Sequence, residues 1–171
     1  TLLTYNVFTN NFKNFSDVEI QNIIENSYGK HNFIEQIVDL KSFNELSFLE
    51  LYHGPTMAFK DMALTVLPNL MVTSKKKLNN SKKTLIITAT SGDTGSAALC
   101  GFSKADSTKM IVLYPTQGVS KIQEKQMLSF GSDKQKVIAI NGNFDDAQRL
   151  VKKAFNDKNN KDYNLSSANS I

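Results

Sequence analysis

The fold of this chain is set by Leu85–Ser103, which reads LIITATSGDTGSAALCGFS. Residues 85–89 form a short run rich in isoleucine, and such a run predicts a buried strand. The Ser-Gly-Asp-Thr-Gly turn ends the run, since glycine interrupts regular structure. The small residues from Ser96 to Ser103 then predict a helix. A strand, a tight turn and a helix in this order are typical of a βαβ unit.

The same alternation continues on both sides of this stretch. Strands are predicted at residues 46–52, 85–89, 109–114 and 137–140, and helices at residues 57–72, 96–103, 120–130 and 145–155. A capping box of Ser120 and Gln123 marks the start of one helix. Strands that alternate with helices favour a parallel sheet covered on both faces. The sequence therefore predicts an α/β fold, an open and mostly parallel sheet with flanking helices.

The N-terminal part is less regular. Ser16 and Glu19 form a second capping box, and isoleucines at helical spacing follow it. Gly29 is expected to end this helix in the left-handed conformation. Residues 1–15 receive no assignment, and residues 31–44 fit either a short helix or an irregular cover. We expect a helical arm over residues 1–44 and an α/β region over residues 45–171.

Composition excludes several classes of protein. The 171 residues carry a net charge of +4, almost wholly from lysine, with Arg149 as the single arginine. A nucleic-acid surface usually adds arginines and interleaved aromatic residues, so no nucleic-acid partner is expected. Cys100 is the only cysteine, which excludes an internal disulfide and favours a reducing, cytoplasmic location. No membrane span, signal peptide or metal cluster is predicted.

A second stretch, Glu50–Asp61, carries a candidate catalytic lysine. It reads ELYHGPTMAFKD, and Thr56 is predicted to be the N-cap of the helix that follows. Lys60 then lies in the first helical turn among apolar residues. The helix dipole and poor solvation both disfavour the ammonium form, which suits Schiff-base chemistry because the attacking amine must be uncharged. The alternative is a lysine that only lays its stem on apolar surface.

The turn after residues 85–89 is a candidate anion site. In parallel sheets ligands bind outside the carboxyl ends of the strands, and the N–H groups at a helix start attract anions. Hydroxyl groups add further donors, from Thr88, Thr90, Ser91 and Thr94. Asp93 would repel a phosphate dianion, and neither the Walker nor the dinucleotide glycine pattern is present. A small carboxylate therefore fits better, although an ordinary turn with an aspartate N-cap stays open.

These two stretches resemble the motifs of the threonine synthase family. The sequence HGPTMAFKD at residues 53–61 is similar to the family's cofactor-lysine motif, and TATSGDTGSAA at residues 88–98 is similar to its substrate-carboxylate loop. Two shorter matches follow in the same order, Gly118-Val119-Ser120 with Gln123-Glu124-Lys125, and residues 167–171. The resemblance extends from about Leu46 to Ile171, and it is weaker in the N-terminal arm.

The resemblance implies a pyridoxal-phosphate enzyme with the tryptophan synthase β-like fold, also called fold type II. Residues from about 92 to 171 would then belong largely to the smaller, substrate-side domain. The implied reaction converts O-phospho-L-homoserine and water to L-threonine and phosphate. Lys60 is the implied catalytic and cofactor-binding lysine, and Asp93 is implied to contact the phenolic oxygen of the cofactor. The implied substrate ligands are Thr90, Ser91, Gly92 and Thr94 for the carboxylate, and Asn169 and Ser170 for the phosphate.

The sequence differs from the family pattern at some positions, and two other functions are possible. Gly118 stands where many relatives have a lysine, and the glycine-rich loop for the cofactor phosphate is expected beyond Ile171. The chain is therefore expected to be an inactive N-terminal part of a longer enzyme, either monomeric or homodimeric. One alternative is a phospho-lyase paralogue that releases a keto acid from the same substrate. Another is a non-catalytic homologue that acts as a binding module.

Overall fold

The computed structural model describes residues 2–34 and 36–169. The helices are α1 (Leu2–Asn11), α2 (Asp17–Tyr28), α3 (Asp61–Leu64), α4 (Val66–Lys77), α5 (Asp93–Phe102), α6 (Lys121–Ser129) and α7 (Phe144–Asn156). The strands are β1 (Asp39–Phe43), β2 (Leu46–Glu50), β3 (Lys83–Ala89), β4 (Thr108–Pro115), β5 (Gln135–Ile140) and β6 (Tyr163–Ser166).

Four strands form a parallel sheet in the order β5-β4-β3-β6. All three neighbouring pairs run parallel. Strands that are covered on both faces are apolar along most of their length, and β3 is buried at every position after Lys83. The predicted α/β class with a mostly parallel sheet is therefore confirmed.

The two faces of this sheet are covered by different helices. Successive side chains of a strand point to opposite faces, so each strand contributes to two cores. One core joins alternate residues of β3 and β4 to α5 and α6, through Ile86, Met110, Val112, Leu99 and Met127. The other joins the intervening residues to α7, through Leu85, Ile87, Leu113, Ala147 and Val151. The flanking helices predicted from the sequence are thus on both faces.

The strand order reverses at β3. The chain passes from β3 to β4 and β5 through α5 and α6, and α7 then returns it to β6 on the other side of β3. Right-handed crossovers place the helices on opposite faces when the direction reverses. Such a switch point leaves a crevice outside the carboxyl ends of the two adjacent strands, here β3 and β6.

The N-terminal helices pack against α4. Phe8 of α1 and Ile20, Ile23 and Ile24 of α2 contact Val66 in one buried cluster. The capping box of Ser16 and Glu19 is confirmed. The left-handed conformation expected for Gly29 is wrong, since its φ is −65°. Glycine is required there because a Cβ would lie 2.5 Å from the Glu25 carbonyl oxygen.

Two strands of the structure were not predicted from the sequence. The region left open at residues 31–44 contains β1, which pairs antiparallel with β2 in a separate two-stranded sheet. The predicted strand at residues 46–52 is therefore real but lies outside the parallel sheet. β6 was not predicted either, because Tyr163–Ser166 is short, polar and only half-buried. Of the helices in residues 2–34 and 36–169, none has the length and apolar character that a bilayer crossing needs.

The predicted helix over residues 57–72 is wrong at its start. Residues 55–60 form turns, α3 is one helical turn that begins at Asp61, and α4 continues from Val66. Thr56 is not an N-cap; it is buried, and its side chain bonds to Asp61. The apolar residues that suggested an early helix, Met57 and Phe59, are exposed.

Candidate functional site

The loop that carries Lys60 is organised around the buried carboxylate of Asp61. Thr56 donates its backbone N–H to Asp61 Oδ2 at 2.8 Å and its hydroxyl to Asp61 Oδ1 at 2.6 Å. A Cβ at Gly54 would lie 2.5 Å from the same carboxylate, so a glycine is required for the loop to close. Met57 has a φ of 60°, which is rare for a residue with a side chain. The loop therefore has a defined shape that the Asp61 contacts maintain.

Burial raises the pKa of the Asp61 carboxyl above its usual range. The two hydrogen bonds from Thr56 act in the opposite direction, and the nearby charge of Asp93 adds to the increase. Asp61 is only 1% exposed, so the desolvation cost is the expected leading cause.

Lys60 is half-buried and immediately precedes α3. Its Nζ lies 5.0 Å from the centroid of the Phe59 ring, a cation–π distance. Because α3 is a single turn of four residues, the long helix dipole assumed from the sequence is not provided there. The side chain nevertheless remains accessible to a ligand in a loop of fixed geometry.

Residues 90–95 join β3 to α5 and include the first residues of that helix; this segment, the β3–α5 loop, is held from within by Thr90. Its Oγ1 accepts the backbone N–H groups of Gly92 at 2.9 Å and Gly95 at 2.8 Å. Thr90 is 1% exposed, so its side chain shapes the loop, and its contact with a substrate carboxylate stays a prediction. Ser91 is exposed and Thr94 half-exposed, which leaves their hydroxyl groups accessible.

Gly92 lies where only glycine fits. Its φ is 136°, and a Cβ there would lie 2.4 Å from the side-chain amide of Gln123. Gln123 Nε2 donates to Asp93 Oδ1 at 2.8 Å. The start of α6 therefore lies directly over the start of α5. The sequence identified Gln123 as a helix cap and as part of a short match to the family, but nothing local indicates its long-range partner.

Asn169 lies at the same edge of the sheet as the β3–α5 loop. Its Oδ1 accepts the backbone N–H of Ala89 at 2.9 Å, just before that loop. The neighbouring Ala168 N–H donates to Thr88 Oγ1 at 2.8 Å. These bonds continue the β3–β6 pairing beyond β6 and bring Asn169 to the switch point. Ser170, the other predicted phosphate ligand, lies outside the described residues.

A second glutamine of α6 reaches the Lys60 loop. Gln126 Nε2 donates to the carbonyl oxygen of Thr56 at 3.0 Å. Sequence reasoning missed this residue, since a glutamine inside a helix is ordinarily solvated. Over the ranges 2–34 and 36–169, no group of three or more His, Cys, Asp or Glu side chains could hold a metal ion.

Comparison with known proteins assigns the chain to a family. The family described as pyridoxal-phosphate dependent enzyme matches residues 37–171. The chain belongs to this family. The predicted cofactor, pyridoxal phosphate, and the fold type are therefore confirmed for this pyridoxal-phosphate dependent enzyme.

Three relatives of this family member are threonine synthases. That of Buchnera aphidicola subsp. Acyrthosiphon pisum is 43% identical over 133 residues, which cover 77% of this chain and 30% of that protein. The crystal structure of threonine synthase from yeast matches 99% of this chain and 35% of its own, with a TM-score of 0.85 and 33% identity. The pyridoxal-phosphate-bound enzyme from Brucella melitensis has a TM-score of 0.78 and 37% identity, over 91% and 33% of the two chains. The predicted resemblance is confirmed, and the chain spans about 30% of the length of the curated relative.

The residues present fit a pyridoxal-phosphate site. The aldehyde of the cofactor requires an amine that it can reach, and Lys60 is half-exposed in an ordered loop. The first turn of α5 offers N–H groups at the carboxyl edge of the sheet, and Gly92 adds no side chain there. Asp93 supplies an exposed carboxylate beside them. Amine, carboxylate and anion-binding groups thus occur at neighbouring positions of the site.

Proposed function

We propose that the full-length protein that contains this chain is a threonine synthase, which converts O-phospho-L-homoserine and water to L-threonine and phosphate. One observation supports this most strongly. The loops of Lys60 and Asp93 are both bonded to α6, and Asn169 bonds to Ala89, directly before the loop of Asp93. The relatives compared above are named threonine synthases. We also propose a cytoplasmic enzyme, monomeric or homodimeric, with a small-molecule substrate.

Lys60 is the proposed catalytic residue. Pyridoxal phosphate, when bound, supplies the electron sink that stabilises negative charge on the substrate carbons. The Lys60 amine would hold the cofactor and, once released, would move protons among the α, β and γ carbons of the substrate. The Asp61 contacts keep the loop in one shape, so they fix the backbone position from which the Lys60 side chain extends.

The β3–α5 loop is the proposed site for the substrate carboxylate. Ser91 and Thr94 offer accessible hydroxyl groups, and Gly92 completes the proposed set of residues at the start of α5. Thr90 would act by holding the loop in shape, since its oxygen already accepts two N–H groups. Asp93 is the proposed contact for the phenolic oxygen of the cofactor. Asn169 and Ser170 are the proposed start of the segment that binds the substrate phosphate.

The assignment of Lys60 is tested by borohydride reduction of the full-length, cofactor-loaded protein, followed by peptide mapping. The pyridoxyl label is expected on the peptide that contains Lys60. Lys60→Ala should lose the visible absorbance and lower turnover at least ~10²-fold, because a positioned acid–base group contributes about 10²–10⁴-fold. Lys104→Ala, an exposed lysine beyond α5, is the matched control and should change neither. A label on another lysine would contradict the assignment.

Two alternatives remain beside this proposal. A phospho-lyase would eliminate phosphate from the same substrate and release a keto acid. It would share the cofactor lysine, so only the product distinguishes the two enzymes. A non-catalytic binding module would give neither product, although it would have no need to retain Lys60. Chromatographic identification of threonine or keto acid from the full-length protein decides among the three.

A further inference from the structure

Two glutamines of α6 contact the two loops of the proposed site. Gln123 Nε2 donates to Asp93 Oδ1 at 2.8 Å, and Gln126 Nε2 donates to the Thr56 carbonyl oxygen at 3.0 Å. The two residues are three positions apart, so they lie on the same face of the helix. One helix face is therefore bonded to both loops, which are separated by about 30 residues in the sequence.

Gln123 makes two contacts with its two amide atoms. Its Oε1 accepts the backbone N–H of Ser120 at 3.1 Å, which completes the capping box, and its Nε2 is directed at Asp93. An amide suits this position because it provides an acceptor and a donor together. The close approach to Gly92 shows that no larger residue could lie beneath it. Glutamine is therefore required at position 123 for two reasons: the helix cap needs its acceptor, and Asp93 needs its donor.

The side chain of Gln126 contacts the backbone of the Lys60 loop. The carbonyl that accepts its N–H belongs to Thr56, whose own N–H and hydroxyl bind Asp61. Asp61 is the residue directly after Lys60. A continuous chain of hydrogen bonds therefore leads from α6 to the neighbour of the candidate lysine.

α6 is itself firmly held against the sheet. Met127 is fully buried, and a Cβ at Gly95 would lie 2.7 Å from its sulfur atom. The Tyr114 hydroxyl at the end of β4 donates to Glu124 Oε1 at 2.6 Å. A helix anchored in this way can transmit a fixed position to the groups that bind it.

We propose that Gln123 and Gln126 are positioning residues, which set the placement of the Lys60 loop relative to the β3–α5 loop. The inference rests on the proposed function only for the identity of these loops as the site. Neither glutamine has to touch substrate or cofactor. Their effect would be to hold the Lys60 amine and the Asp93 carboxylate in one arrangement before any ligand binds.

Amide hydrogen exchange of the full-length protein without cofactor tests this proposal. Gln126→Ala should raise exchange at Thr56 and Met57 about tenfold, since a typical net hydrogen bond is worth up to ~1.5 kcal/mol. Gln123→Glu keeps the acceptor for the capping box but replaces the donor to Asp93. It should raise exchange at Gly92 and Gly95 by a similar factor. Gln21→Ala, an exposed glutamine of α2, is the matched control and should leave all four amides unchanged.

A double variant that swaps the donor and the acceptor distinguishes a positioning role from a general loss of structure. In the double variant Gln123→Glu with Asp93→Asn, the donor moves to position 93 and the acceptor to position 123, so the hydrogen bond can form again. Slow exchange at Gly92 and Gly95 should return. Unchanged exchange in the single variants, or no recovery in the double variant, would overturn the proposal. Both readouts are independent of turnover, so a wrong assignment of the reaction would not affect them.

Discussion

At the scale of single residues, the Tyr114–Glu124 pair gives the clearest pH dependence. The Tyr114 hydroxyl is buried and donates to the Glu124 carboxylate, and this hydrogen bond, with burial, raises the pKa of Tyr114 to about 12. Tyrosine in an unfolded chain ionises near pH 10. The pair therefore stabilises the folded protein fully below about pH 10, and this contribution is lost as the pH rises through about 12.

Tyr114→Phe is expected to lower the free energy of unfolding by about 1.5 kcal/mol at neutral pH, the low end for a hydrogen bond to a charged group. Glu124 is half-exposed, so water can replace the lost donor. The difference between the two proteins should shrink as the pH rises above about 10. Denaturant unfolding of the full-length protein at several pH values measures both effects.

Tyr52→Phe is the matched control for this prediction. Tyr52 also lies beside a glutamate, Glu50, which raises the pKa of its hydroxyl, but Tyr52 is 53% exposed. The exposed contact should be worth less than about 0.5 kcal/mol, because water competes for both partners. An equal loss of stability in the two variants would mean that burial of Tyr114 does not matter.

At the scale of elements, the contact between α5 and the end of α3 depends on one glycine. A Cβ at Gly101 would lie 2.0 Å from the carbonyl oxygen of Leu64 and 3.5 Å from Pro68 Cγ. The first of these atoms is backbone, so no change of side-chain rotamer can relieve the clash. Glycine in α5 lets the helix that follows Lys60 lie close to the sheet core.

Gly101→Ala is expected to destabilise the protein by about 2 kcal/mol. Alanine is favoured over glycine in a helix by about 1 kcal/mol, whereas overpacking a tight contact costs about 1–3 kcal/mol or more. The backbone clash puts the cost at the upper end, so the net effect should be a loss. Thermal unfolding measures it.

Gly131→Ala, just after α6, is the matched control for Gly101→Ala. The nearest atom to a Cβ there is the Leu128 carbonyl oxygen at 3.2 Å, and Gly131 is exposed. Reduced freedom of the unfolded chain should make this change neutral or slightly stabilising. If Gly101→Ala behaved in the same way, the close approach of α5 to Leu64 would be disproved.

At the scale of the whole molecule, the β1–β2 sheet stands out because its apolar side chains are exposed. An isolated two-stranded hairpin is at best marginally stable in water. Five large apolar residues of this hairpin are more than half exposed, namely Leu40, Phe43, Leu46, Phe48 and Leu49. Exposed apolar surface of this kind promotes aggregation, so it lowers the solubility of residues 1–171 produced alone.

Residues 1–171 produced alone are expected to bind pyridoxal phosphate poorly and to show no turnover. The chain spans about 30% of the length of its curated relative, so residues 1–171 provide only part of an enzyme of that length. Spectral titration with pyridoxal phosphate, with the full-length protein as the control, tests this expectation. Tight covalent binding by residues 1–171 would contradict it.

Much of the fold could be predicted from the sequence because its signals are local. The capping boxes at Ser16 and Ser120 join residues three apart, and the structure contains both. The β3–α5 and β4–α6 segments follow from apolar runs and glycine turns. Lys60 and the β3–α5 loop were found because their motifs are continuous in the chain.

Tertiary structure alone decided the features that depend on distant partners. β6 is a strand because it pairs with β3, about 80 residues earlier, although its own sequence is polar. The loop before Lys60 is not helical because Asp61 binds Thr56, and Thr90 is buried because its oxygen serves Gly92 and Gly95. Hydrogen bonds within one turn can be read from spacing in the sequence. Those of Gln123, Gln126 and Asn169 join separate elements, and only the packed sheet brings these elements together.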